Sequence, residues 1–146
     1  MKTLKLFTIA SVALTMGLLL NQSSFAGTPT TIIDSTLASE PLILKGKSGG
    51  SVKSNCGNIN TAPNQIIEVT EPLPYLRLTA ATEGQPTLLI DGPGGRFCVL
   101  ADSNSGGNPE LSGYWQPGKY SVYVGELALK NYSYTLVVSK QKQALK

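Results

Sequence analysis

The chain has 146 residues, twelve of them basic and nine acidic, with no histidine and two cysteines. That length holds one domain. The lack of histidine removes the usual Ser-His-Asp and Cys-His arrangements and most zinc sites, and a charge of +3 with no basic cluster outside the last residues leaves no electrostatic footprint for nucleic acid.

Residues 1–26 have the three parts of a secretory signal. Lys2 and Lys5 form a basic start, Leu6 to Leu20 an apolar run, and Ser24-Phe25-Ala26 a small-residue cleavage site. The rival is a retained membrane anchor. The run is about fifteen residues long, against the roughly twenty needed to cross a bilayer, and Thr8, Ser11 and Thr15 dilute it. Cleavage after Ala26 removes two of the twelve basic residues and lowers the balance from +3 to +1. The expected destination is secreted or periplasmic, by the general secretory route. In that setting Cys56 and Cys98 are most simply one disulfide, since no CxxC spacing or histidine supports a reactive thiol.

Residues 27–40 read as a flexible, Ser- and Thr-rich lead-in with a short edge strand at Thr31–Ile33. A domain follows over 41–139, and then a flexible tail over 140–146. No window shows helical periodicity. Strands are expected at Pro41–Lys45, Ser51–Asn55, Gln65–Thr70, Tyr75–Ala81, Thr87–Asp91, Arg96–Ala101, Lys119–Gly125 and Ser133–Ser139, separated by stretches rich in Gly, Pro and Asn. Alternation turns Leu76, Leu78 and Ala80 inward, with Tyr120, Val122 and Val124, and with Tyr134, Leu136 and Val138. It leaves Arg77, Thr79 and Tyr123 facing water. Leu88, Leu89 and Ile90 make Thr87–Asp91 apolar on both sides, as in a central strand. The fold class is therefore all-β, a two-sheet, jelly-roll-like β-sandwich of about eight short antiparallel strands.

The run Gln116-Pro117-Gly118-Lys119-Tyr120-Ser121-Val122-Tyr123-Val124-Gly125, then Tyr132-Ser133-Tyr134-Thr135-Leu136-Val137-Val138-Ser139, resembles the closing strands of the bacterial pre-peptidase C-terminal domain. The hairpin Pro86–Gly95 is similar to that family's upstream PTLLIDGPGG segment, and the resemblance extends over Pro41–Ser139. It implies a jelly-roll sandwich serving secreted peptidases and other hydrolases as a non-catalytic accessory module. The expectation here is a stand-alone module with no enzyme attached, and the cysteine pair is an addition to that family's pattern.

The loop Asp102–Glu110 is the candidate for metal chemistry. Asp102, Asn104, Asn108 and Glu110 supply oxygens on a Gly-bent backbone, as calcium requires, although Gly106 and Gly113 stand where an EF-hand has ligands. The plainer reading is that these Asx side chains cap their own loop, with no cofactor. Tyr114, Trp115 and Tyr123 are candidate ligand contacts, because aromatic faces stack on sugars; alternatively, Trp115 plugs the end of the core. Asp91, Asp102 and Glu110 offer carboxylates for a small carbohydrate-hydrolysing site, which needs a rigid cleft. Gly46-Lys47-Ser48 is expected to be a hairpin turn rather than a phosphate loop. The expected function is a non-enzymatic binding or accessory module whose partner is an extracellular or periplasmic protein or a surface glycan, with no membrane span after signal cleavage. The alternative is a small carbohydrate-binding or carbohydrate-hydrolysing domain.

Overall fold

The computed structural model describes residues 27–37, 39–102 and 106–142, so the expected signal segment, Asn104 and the last four residues of the tail lie outside the described residues. Eleven strands and no helix are present among the described residues: β1 Thr30–Ile33, β2 Leu42–Lys47, β3 Val52–Ser54, β4 Gly57–Ile59, β5 Gln65–Val69, β6 Leu73–Ala81, β7 Pro86–Gly92, β8 Gly95–Leu100, β9 Glu110–Trp115, β10 Gly118–Glu126 and β11 Ser133–Ser139. The two-sheet sandwich expected from alternation is what forms.

One sheet has the order β2-β11-β6-β9 and is antiparallel throughout. The other is built around β10, which pairs with β5 along its first half and with β7 along its second. β8 extends this sheet beyond β7, and β1 extends it beyond β5. The β1–β5 pair is parallel, a departure from the all-antiparallel expectation. The β3–β4 hairpin joins the far end of β10 through Asn58 and Glu126.

Alternation decides what fills the space between the sheets. Leu76, Leu78 and Ala80 of β6 and Tyr134, Leu136 and Val138 of β11 are buried with Tyr120, Val122 and Val124 of β10 and Leu88 and Ile90 of β7. Each large aliphatic side chain so removed from water contributes about 2–3 kcal/mol. Ile33 of β1 is also fully buried and Leu37 packs against the same cluster, so the sandwich begins before Pro41 and takes in much of the expected lead-in.

The back of the second sheet carries a smaller core. Tyr123, Leu89 and Cys98 lie in register across β10, β7 and β8, and Cys56 and Ile59 of the β3–β4 hairpin pack over them. The Cys56–Cys98 disulfide clamps the hairpin there, with Cα atoms 5.5 Å apart. This explains why β7 is apolar on both faces. It also corrects the expectation for Tyr123, which is half-buried against this satellite core.

A polar group closes the end of the sandwich where β10 stops. Glu126 is fully buried; its Oε1 accepts a hydrogen bond from Ser48 Oγ at 2.6 Å and its Oε2 accepts one from the Gln85 backbone N–H at 2.8 Å. Ser48, also fully buried, accepts from the Tyr132 N–H at 3.2 Å. Three loops thus meet on one carboxylate.

At the opposite end, carboxylates hold the turn that follows β1 and the end of β11. Asp34 accepts from the hydroxyl and the N–H of Thr36, both at 2.7 Å, and Glu71 accepts from the Ser35 N–H at 2.5 Å. Glu40 accepts from Ser139 Oγ and, at 3.1 Å, from the Lys140 N–H. The Thr36 hydroxyl holds the Asp34 carboxyl below its ordinary range, and Ser35 does the same for Glu71. Desolvation pushes Glu40 up, but the Ser139 and Lys140 hydrogen bonds outweigh it and the net shift is downward. Groups with depressed folded-state values stabilise the fold above their unfolded values and lose that contribution as pH falls through the folded ones. The melting temperature is therefore expected to fall as pH drops below about 4, the ordinary carboxylate range. Amide exchange should show β1 losing protection before β10.

Candidate functional site

The two sheets do not close along one side. Edge strands β8 and β9 lie there, and neither pairs with a further strand among the described residues beyond β7 and β6 respectively. Between them opens a cleft of about 420 Å³, with Ile90, Trp115 and Tyr120 among its lining residues, together with Phe97 of β8, Leu111 and Tyr114 of β9 and the polar Gln116.

Local sequence makes the opening. Phe97 is the register partner of Ile90 and Val99 that of Leu88, so alternation turns both toward the facing sheet. Opposite them β9 presents Gly113, where an added Cβ would meet nothing within 4 Å. The missing side chain leaves the inner layer unfilled at its margin. Phe97 consequently remains 45% exposed although it sits on the inner face. Gly113 has φ +145°, so a side chain there would be strained even though the space is open.

The cleft's aromatic residues are held firmly. Trp115 is 4% exposed, lies 4.5 Å from the Tyr120 ring at a tilted angle and donates from Nε1 to the Leu76 carbonyl at 3.2 Å. The pairing shifts register in β6 between Leu73 and Leu76, around Pro74, which has no ladder donor to lose. Tyr120 donates its hydroxyl proton to the Gln116 carbonyl at 2.8 Å, and burial raises its phenol pKa. A Cβ on Gly92 would stand 2.2 Å from the Tyr120 ring, so only glycine lets this ring lie against the β7 backbone.

The candidate residues from sequence are dispersed. Tyr114, 65% exposed, and Trp115 do border one cavity, but Trp115 offers it little surface and belongs to strand β9, not to a loop. Tyr123 lies on the opposite face of the sheet with the disulfide. Glu110 opens β9, accepts from Thr79 Oγ1 at 3.0 Å and stands 3.5 Å from the Arg77 guanidinium, so its carboxylate is already engaged. Asp91 is exposed and 3.8 Å from Arg96. Asp102 accepts the Gly107 N–H through its backbone carbonyl at 3.0 Å, and Asp102 and Asn108 have further interactions of their own. Among the described residues no three His, Cys, Asp or Glu side chains gather in a way that could hold a metal ion. Phe97, Leu111 and Gly113, which shape the cleft, were not singled out in the sequence. The available signal was Phe97 alternating with Val99 beside a strand apolar on both faces.

The arrangement defines a class: the two-sheet sandwich fold of pre-peptidase C-terminal domains. It aligns with that domain of a collagenase from Bacillus anthracis at a TM-score of 0.50 and 16% identity, over 75% of this chain and 94% of that one. A periplasmic inhibitor of g-type lysozyme from Escherichia coli aligns at 0.43 with 13% identity, over 78% of this chain and 98% of that one. No family model matches the chain. An uncharacterized protein of Synechococcus elongatus is 38% identical over 102 residues, 67% of this chain and 75% of that protein, and the chain belongs to the same family. No helix among the described residues is long and apolar enough to cross a membrane.

Proposed function

We propose that this protein is an exported, non-catalytic binding module that takes apolar side chains of a protein partner into the cleft between β8 and β9. The observation that carries the reading is the cleft itself, an apolar cavity with rigid aromatic residues in its lining, set between two edge strands. Such an edge suits an extended partner segment, whose backbone pairs with the strand while alternate side chains enter the groove. Export is supported by the basic, apolar and small-residue pattern of residues 1–26 and by the disulfide. The engaged states of Asp91 and Glu110 speak against a hydrolytic pair. The reading requires no cofactor.

Capture of envelope and culture-medium proteins under oxidising conditions tests it. Phe97→Ser and Tyr114→Ser alter exposed side chains and leave the folding core intact. Each should weaken partner binding by roughly tenfold or more, the cost of losing an aromatic anchor at an interface, whereas Glu110→Gln should bind as the wild type does. Equal binding by all variants would overturn the cleft as the binding surface, and glycan-array hits with no protein captured would favour the carbohydrate-binding alternative instead.

A further inference from the structure

The Cys56–Cys98 disulfide has two unlike halves. Cys56 is fully buried with Ile59 and Leu89, and its carbonyl accepts from the buried Thr87 hydroxyl at 2.6 Å. Cys98 is exposed, on an edge strand. Five of the six residues of β8 are exposed, and only the half-buried Val99 packs against the main core. Among the described residues the strand pairs with β7 alone, and its ion pair, Arg96 to Asp91 at 3.8 Å, is open to solvent. The disulfide thus fastens a lightly held strand to a buried part of the fold other than β7.

Alternation couples that fastening to the cleft. Successive side chains of a strand point to opposite faces, so Phe97 lines the cleft while Cys98, the next residue, reaches Cys56 behind the sheet. One peptide unit separates the tie from the cleft wall.

We infer that Cys98 is a site of thiol–disulfide exchange, at which a small thiol adds and loosens the β8 wall of the cleft. An incoming thiolate reaches the exposed half of the bond and not the buried one, and access helps decide which sulfur of a disulfide is attacked. The bond between Cys56 and Cys98 breaks and one forms between Cys98 and the small thiol. Cys56 leaves with the electron pair and takes up the proton that the small thiol has lost. One disulfide replaces another, so no outside oxidant or reductant is consumed. The hairpin and β8 both lose the tie, and β8 keeps only its pairing with β7. Attack by Cys56 on the adduct reverses the step. The exchange stands without the cleft reading; its consequence for a partner rests on that reading.

Brief incubation of the disulfide-bonded protein with reduced glutathione tests the step, with free thiols then alkylated in denaturant and the products mapped by mass. At low conversion, glutathione on Cys98 with the alkyl group on Cys56 should exceed the reverse by on the order of tenfold. Low, sub-denaturing urea should leave the rate unchanged, because attack does not wait for unfolding. In the adduct the β8 amides should exchange on the order of tenfold faster, with no dependence on low urea, the mark of local opening. The adduct should also bind the captured partner several-fold more weakly. Equal labelling of both cysteines, adducts that form only as the protein unfolds, or unchanged β8 exchange would overturn the inference. So would a partner weakened by Phe97→Ser that binds the adduct and the disulfide form alike. A partner indifferent to both changes would overturn the cleft reading instead, and the mapping and the β8 amides then decide the switch.

Discussion

Cys98→Ser lowers the unfolding free energy by about 4 kcal/mol, the chain-entropy value for releasing a crosslink between residues 42 apart in sequence. That is a large share of a small domain's total stability of about 5–15 kcal/mol. The two cysteines should not be equivalent. Cys98 is exposed on β8, so replacing it removes only the crosslink. Cys56 is fully buried with Ile59 and Leu89, so Cys56→Ala should also leave the satellite core short of atoms and cost roughly 1 kcal/mol more. Denaturant unfolding of both variants measures this order. Amide exchange should show the β3–β4 hairpin losing the most protection, since the disulfide clamps it to the sheet and its ladder to β10 is a single residue pair. An unchanged unfolding midpoint under reductant would exclude a crosslinking role.

Glu126→Ala is expected to cost about 3 kcal/mol, through buried donors left without an acceptor. The carboxylate is fully buried and serves the Ser48 hydroxyl and the Gln85 N–H. Removing it strands the Gln85 donor and leaves space where three loops meet. Glu126→Gln separates shape from charge. Its carbonyl can accept from Gln85, its amide can donate to Ser48, and the Ser48 hydroxyl then turns to the Tyr132 carbonyl 3.2 Å away. That rearrangement partners the Gln85 N–H and the Ser48 hydroxyl and leaves only the second amide hydrogen of the glutamine to be matched, so this variant should lose about 1–2 kcal/mol, less than the alanine variant. Equal losses for both variants would mean that charge, not hydrogen-bond satisfaction, holds this end together.

How much was legible in the sequence depended on how regular each segment is. Strands β6, β10 and β11 alternate apolar and polar residues over seven to nine positions, and all nine side chains assigned inward there are buried. The doubly apolar β7 correctly marked a central strand. β9 was missed because its inward series is Leu111, Gly113 and Trp115, and a glycine at the middle position reads as a turn. That glycine is also what opens the cleft, so one residue hid both the strand and the site. β4 was missed because Gly57-Asn58 has the composition of a loop. Glu126 gave no signal, since a lone acid at the end of a strand usually faces water. The cleft depends on which edge strands end up side by side, which periodicity within one strand cannot specify.

Trp115 is the chain's single tryptophan and borders the cleft, so its fluorescence reports what enters there. Titrating the captured partner into wild-type protein should change Trp115 emission to a saturating value, with the same midpoint as binding followed by mass. Phe97→Ser should shift that midpoint by roughly tenfold. A partner that binds Phe97→Ser as tightly as wild type and leaves Trp115 emission unchanged would place the binding surface elsewhere on the sandwich.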